Sequence, residues 1–323
     1  MKVVITSKAL VPTPDNAARL LSVADEIISV TDRSVEGILA QAQDADALVV
    51  GVEQIPAELI AQLARVKVIV RAGVGVDVVD VDAATAHGIQ VCNVPDANHR
   101  EVAAHAAAMI LALTRKLPQW DRNVRSGGYG DRALGADIHR AESQKLGILG
   151  LGRIGRHVAA IGHAVGYQVQ GYDPVVDDSV FDDLGVTRLG LDELIASSNI
   201  LSLHLPLTAE NYHLLDREAL ASMPRGSYIV NVSRGGLIDE QALADLLTAG
   251  HLAGAGIDTY EGEPPAPDHP LRTLDTVISS PHAAHWSAEG WEETLTKTFD
   301  EVARALLGEP PRSPVNTPSV NAR

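Results

Sequence analysis

Residues 145–159 read KLGILGLGRIGRHVA, an apolar run, then Gly150-x-Gly152-x-x-Gly155, then a helical pattern. Glycines at this spacing let a pyrophosphate approach the free N–H groups of a helix N-terminus, where the dipole favours an anion. Arg153 and Ile154 open that helix. The next strand candidate, YQVQGYD, ends at Asp173. This lies about 20 residues on, where a carboxylate accepts hydrogen bonds from the adenosine ribose. Pro174, Val175 and Val176 follow, with no Arg or Lys for a 2′-phosphate. The expected cofactor is therefore NAD rather than NADP. Three later stretches, NVSRGGLIDE (231–240), IDTYEGEPP (257–265) and SSPHAAHWS (279–287), carry polar residues where apolar runs end. In a doubly wound sheet the carboxyl ends of the strands face the ligand crevice, so Arg234, Asp258, Glu263 and His282 are expected to meet there. His282 and His285 have the spacing of a metal-ligand pair, but the oxygen or sulfur ligands that complete a site are not evident. No metal is expected.

These residues need strands to carry them. Up to about residue 95, KVVITS, EIISV, ALVVG, KVIVRAG and IQVCNV read as strands. Their near-continuous apolar character is that of parallel strands covered on both faces. DNAARLLSV, SVEGILAQAQ and PAELIAQLA read as helices between them, the last with Pro56 at a first helical position. A long alanine-rich helix is expected over 98–117, and 126–144 lacks periodicity and reads as an extended arm. From 145 a second series begins, with KLGIL, YQVQGYD, NILSLHLP, SYIVNVS, AGAGID and TVISS as strands. AEGWEETLTKTFDEVARALLG then forms a final helix, followed by a Pro-rich tail. The fold class is α/β with two doubly wound parallel sheets. A Rossmann dinucleotide domain (98–287) is inserted into a flavodoxin-like domain built from 1–97 and from the helix and tail of 288–323.

Composition narrows the function classes. At 323 residues and 46% hydrophobic, the chain can bury the cores of two domains. A formal charge of −16 argues against nucleic acid or anionic membranes as partners. The most apolar stretch, VAAHAAAMILAL (102–113), is shorter than the ~20 residues of a membrane span and carries His105. The single cysteine, Cys92, excludes an internal disulfide and fits a reducing compartment, so a cytoplasmic location is expected.

Taken together, RAGVGVDVVDVDAATAHGIQVCNVP (71–95), LGILGLGRIGR, VNVSRGGLIDEQAL, GAGIDTYEGEPP and SSPHAAHWS resemble the D-isomer-specific 2-hydroxyacid dehydrogenases. This family includes D-3-phosphoglycerate dehydrogenases, glyoxylate/hydroxypyruvate reductases and the C-terminal-binding-protein corepressors. The resemblance implies that Arg234 binds substrate, Glu263 is its partner carboxylate and His282 is the acid/base. It places Asp258 and the backbone of Val232 and Ser233 along the nicotinamide. It also implies that the loop at Val74 and Gly75 offers N–H groups to the substrate carboxylate, with Arg71 and Asn98 nearby. The first half of the chain would then be the substrate-side domain, hinged near 95–100 and 285–290. A homodimer is implied, with the 98–117 helix and the 126–144 arm as its surfaces.

Two positions depart from the family. Val102-Ala103-Ala104 replaces a common Val-Ala-Glu run, and Gly51 stands where phosphoglycerate dehydrogenases carry an additional substrate arginine. The expected activity is NAD-dependent interconversion of a small anionic D-2-hydroxy acid and its 2-oxo acid. The alternative is a corepressor-like scaffold that senses NAD(H).

Overall fold

The computed structural model describes residues 1–318. Two compact units form, one from Met1–Asn98 with the segment from Ser287 onward, the other from His99–Trp286. The first opens as β1 (Lys2–Ile5), α1 (Pro14–Val23), β2 (Glu26–Ser29), α2 (Val35–Ala42), β3 (Ala47–Val50), α3 (Ala57–Ile60), β4 (Val68–Arg71), α4 (Val81–Ala86) and β5 (Gln90–Cys92). Every pairing is parallel, in the order β2-β1-β3-β4-β5, the flavodoxin-like arrangement. Helix α3 is shorter than its sequence suggests, and Pro56 is its N-cap rather than its first helical residue. Leu59, Ile60, Leu63 and Val66 are all buried in one cluster, and that packing overrides local helix preference.

The second unit contains α5 (His99–Thr114), α6 (Leu117–Arg125), β6 (Lys145–Leu149), α7 (Arg153–Val165), β7 (Gln168–Tyr172), α8 (Asp178–Leu184), β8 (Thr187–Arg188), α9 (Leu191–Ser197), β9 (Ile200–Leu203), α10 (Arg217–Ser222), β10 (Ser227–Asn231), α11 (Glu240–Thr248), β11 (Leu252–Ile257) and β12 (Val277–Ser279). The expected helix over 98–117 is broken. Lys116 turns left-handed (φ 53°), and Pro118 sits in the first turn of α6 because it lacks the N–H that a continuous helix needs. The sheet order is β12-β11-β10-β9-β6-β7-β8, all parallel. The chain starts at β6, runs outward to β8, then returns to β9. The switch point beside β6 is where such sheets bind dinucleotides.

Helix α12 (Ala288–Leu306) returns to the first unit, where Phe299 and Val302 share a core with Val3, Ile5, Val49 and Val70. The tail beyond it is fastened. Glu301 accepts from the Arg312 N–H, and Pro314 forms an antiparallel bridge to Cys92. The Asn316 side chain accepts from the Val91 N–H at 2.7 Å and donates to Thr85 and the Ile89 carbonyl. Among the described residues no helix is long and apolar enough to cross a membrane.

Candidate active site

In the second unit, β6 delivers the chain into the glycine turn. Gly150 is left-handed (φ 97°), and a Cβ there would lie 2.7 Å from the His204 carbonyl oxygen. A Cβ on Gly155 would lie 1.9 Å from the Gly150 carbonyl, so only glycine lets α7 pack this close. Gly152 faces open space, with nothing within 4 Å of a Cβ, and it caps α7 without any side-chain hydrogen bond. One glycine makes the turn, one leaves room and one permits packing, which fits a dinucleotide pyrophosphate. Arg153 is exposed at the first position of α7, and Ile154 packs against the core.

Asp173 follows β7 and is only 7% exposed. Its carboxylate accepts from the N–H groups of Leu151 (2.7 Å), Val175 (2.8 Å) and Val176 (3.2 Å). A carboxylate has about four acceptor sites, so one remains for a ribose hydroxyl. Asp173 thus also ties the glycine turn to the end of β7.

At the carboxyl ends of β10, β11 and β12 the remaining polar residues come together. His282 is left-handed (φ 51°), and its Nδ1 lies 2.7 Å from Glu263 Oε2. Glu263 also accepts from the Tyr260 N–H at 3.1 Å. Burial pushes the Glu263 carboxyl up, but the His282 hydrogen bond and charge, the Tyr260 N–H and the Arg234 guanidinium outweigh it. The group is held below the ordinary carboxylate range. Arg234 Nη1 donates to the Ser233 carbonyl at 2.8 Å. Asn231 braces this turn, accepting from the Ser233 N–H and donating to the Arg234 carbonyl. Val232 is buried, and Ser233 is further tied to the end of β9 through the Leu203 carbonyl.

Asp258 is 1% exposed and acts as the anchor of the His282 loop. Its carboxylate accepts from the Ser280 hydroxyl and from the N–H groups of Ala283 (2.8 Å) and Ala284 (3.1 Å). Its carbonyl accepts from the His282 N–H at 2.8 Å. His105, which in the sequence only interrupts an apolar run, places Nε2 2.9 Å from Ser280 Oγ and 3.9 Å from Asp258. Sequence reasoning missed His105, Ser280 and Asn231. It also missed His204, whose Nε2 pairs with Ser202 Oγ while Nδ1 is buried with no hydrogen-bond partner among the described residues. Burial pushes the His204 imidazole down to about 3. Among the described residues no three His, Cys, Asp or Glu side chains are grouped to hold a metal ion.

The other candidate residues belong to the first unit. Gly73 has φ 146°, and a Cβ there would lie 1.6 Å from Arg71 Nη1, so the guanidinium occupies the space a side chain would take. The Asn93 side-chain amide donates to the Val74 carbonyl at 2.6 Å, and the Val94 N–H to the Gly73 carbonyl at 2.9 Å. Val74 is 39% exposed, Gly75 continues the loop, and Asn98 is buried. At Gly51 the N–H donates to Glu53 Oε2 at 3.2 Å. Glu53 is buried and also engages Thr6 and Arg33. The end of β3 therefore presents a neutralised carboxylate rather than an uncommitted cation.

The sequence model for "D-isomer specific 2-hydroxyacid dehydrogenase, NAD binding domain" matches residues 107–284. A D-3-phosphoglycerate dehydrogenase of Mycobacterium bovis is 42% identical over 274 residues, covering 84% of this chain and 51% of that one. The D-3-phosphoglycerate dehydrogenase of Methanocaldococcus jannaschii is 36% identical, covering 99% of this chain and 60% of that one. The chain thus spans about half the length of the curated relatives it matches. Among solved structures, D-lactate dehydrogenase from Aquifex aeolicus complexed with NAD and lactic acid superposes with a TM-score of 0.88 at 27% identity. That alignment covers 99% of this chain and 100% of the other.

Proposed function

Since the chain belongs to the D-isomer specific 2-hydroxyacid dehydrogenase family, we propose that it interconverts a small D-2-hydroxy acid and its 2-oxo acid, with NAD as hydride carrier. The observation that carries this reading is the 2.7 Å His282–Glu263 hydrogen bond beside Arg234, in the same sheet as the glycine turn. Bound NAD(H) supplies or takes up the hydride. The rest falls to this chain's own side chains. With Nδ1 engaged by Glu263, His282 uses Nε2 to give a proton to the carbonyl oxygen in reduction and to take it from the hydroxyl in oxidation. Arg234 forks onto the substrate carboxylate and carbonyl oxygen, holding both and polarising the bond. Arg71, the backbone of Val74 and Gly75, and Asn98, all of the first unit, are the further substrate contacts that the family resemblance implies. Asp258 keeps His282 in place and lies along the nicotinamide with Val232 and Ser233.

The substrate is a small unphosphorylated acid. Gly51 brings no side chain to the end of β3, and the nearest ionic group there is the Glu53–Arg33 pair. The relatives and the solved structure named above are dehydrogenases, and nothing in the site favours a scaffold. The experiment is NADH oxidation with glyoxylate, hydroxypyruvate, pyruvate, phenylpyruvate, 2-oxoglutarate and 3-phosphohydroxypyruvate. Turnover of an unphosphorylated member is expected. Tight NADH binding without turnover of any would overturn the reading, and a preference for the phosphorylated acid would overturn the substrate class.

The functional form is a homodimer. Helix α6 has no buried residue, and Leu117, Val124 and Tyr129 stand 55%, 56% and 95% exposed around the arm. Sedimentation should give a dimer, and Val124→Asp should shift it toward monomer.

A further inference from the structure

Behind the His282–Glu263 pair lies a second carboxylate–imidazole pair to which no step above gives a task. Glu240, the first residue of α11, is 8% exposed, and its Oε2 lies 2.8 Å from His269 Nε2. Its other oxygen accepts the Glu261 N–H at 3.0 Å. The peptide so held belongs to the loop that presents Glu263. We propose that Glu240 and His269 are positioning residues that fix the Tyr260–Glu263 loop and, through it, the geometry of Glu263 against His282.

The geometry leaves this loop little freedom. A Cβ on Gly235 would lie 1.9 Å from the Tyr260 carbonyl carbon and 2.0 Å from the Glu261 nitrogen, so the peptide rests on the backbone next to Arg234. The Tyr260 ring meets the His269 ring edge-on at 5.3 Å, and its hydroxyl donates to Ser279 Oγ at 2.6 Å, three residues before His282. The Tyr260 N–H then reaches Glu263 Oε1. Displacing the 260–261 peptide would therefore move Glu263 and the support under Arg234 together.

Burial raises the Glu240 carboxyl above its ordinary range, against the Glu261 N–H and the imidazole, which pull the other way. The charged groups around it are His269, the Glu261 carboxylate (itself taken by Tyr212 and His213) and, near the Tyr260 ring, Arg272 and Asp258. A buried carboxylate–imidazole pair carries a desolvation cost and is often no more stabilising than apolar packing. Placing one here makes sense where the position of a backbone group matters more than net stability.

The test is the NMR signal of the His282 Nδ1–H proton in the full chain, assigned by its loss in His282→Gln. In Glu240→Ala this proton should leave its downfield, hydrogen-bonded position, because Glu263 no longer stays at 2.7 Å from the imidazole. Glu240→Gln keeps an acceptor for the Glu261 N–H and should restore the signal. Reduction of the active 2-oxo acid should fall about tenfold in kcat in Glu240→Ala, with the NADH dissociation constant unchanged. If the alanine variant does not fold, His269→Gln carries the same expectation. An unmoved His282 Nδ1–H signal in a folded Glu240→Ala or His269→Gln overturns the proposal. The kinetic arm rests on the proposed dehydrogenase activity, whereas the NMR signal does not. A wild type without turnover would defeat that activity and leave the NMR signal decisive.

Discussion

Two carboxylate–histidine pairs lie close together in one unit, with nearly the same hydrogen-bond length and different surroundings. In His282–Glu263 the side chains are 36% and 37% exposed, whereas in His269–Glu240 they are 18% and 10% exposed. The more open pair holds its carboxyl below the ordinary range and the closed pair holds its carboxyl above it. Burial weighs most on both carboxyls, but the open pair has the Arg234 guanidinium beside it and the closed pair has the Glu261 carboxylate. Where water reaches the pair and a guanidinium stands beside it, the charged partners win, as the proton exchange proposed for His282 requires. Where burial dominates, the carboxyl resists ionising and the pair serves as a fixed joint.

The strongest way to break this contrast is to remove the open imidazole. His282→Ala should lower kcat by about 10²–10⁴-fold while NADH still binds, with fluorescence titration separating the two effects. Unchanged turnover would take His282 out of the chemistry. Next is the cation beside it. Arg234→Lys replaces a planar fork by a point charge and should cost about a hundredfold in kcat/KM for the 2-oxo acid, with cofactor affinity kept. A lysine variant equal to wild type on every active acid would mean the carboxylate is held elsewhere.

A third test uses a buried imidazole that pairs with the Ser202 hydroxyl rather than a carboxylate among the described residues. His204 is held at about 3, below its unfolded value, so the unfolded chain takes up this proton first. Its neutral form contributes full stability above pH ~6.5, and that contribution is lost as pH falls below it, down toward 3. Between pH 7 and 5 the wild type should lose about 2 kcal/mol more than His204→Gln, as denaturant titration would measure. Parallel pH profiles for the two proteins would mean that ring is solvated. The smallest effect tests a carboxylate without an imidazole. Asp173→Asn keeps an acceptor for the turn but loses the charge. It should weaken NADH by about tenfold, ~1.4 kcal/mol, and narrow the preference over NADPH. An unchanged preference would leave Asp173 with its turn-bracing bonds alone.

Much of this was legible in the sequence because it is local. Continuous apolar runs mark strands, and the spacing of the three glycines of 150–155 is itself a local signal, although the carbonyl that crowds Gly150 comes from distant His204. The polar residues ending β10, β11 and β12 were readable because strand ends in parallel sheets point one way. What escaped depends on contacts distant in the chain. The anchoring bonds of Asp258 reach 22 to 26 residues ahead to Ser280, Ala283 and Ala284, in addition to the nicotinamide contact proposed for it. His105 meets Ser280 across 175 residues. Glu240 and His269 are each ordinary in their local context, and only folding makes them a pair. The break at Lys116 was the exception, since Pro118 was in plain view and the alanine-rich run before it masked the signal.

The fastened tail has a consequence for how the protein behaves in a crowd. β5 ends its sheet, and a bare outer strand offers its N–H and carbonyl groups to any passing chain. Here residues 313–316 occupy that rim. Val315 donates to the Val91 carbonyl, Asn93 to the Ser313 carbonyl, and Pro314, which has no N–H to offer onward, sits opposite Cys92. The Cys92 thiol is sealed beneath, and burial together with Glu301 pushes it up, away from the reactive thiolate. Residues 313–316 are thus a selvedge: they cover the open rim of the sheet and lie over the buried single cysteine.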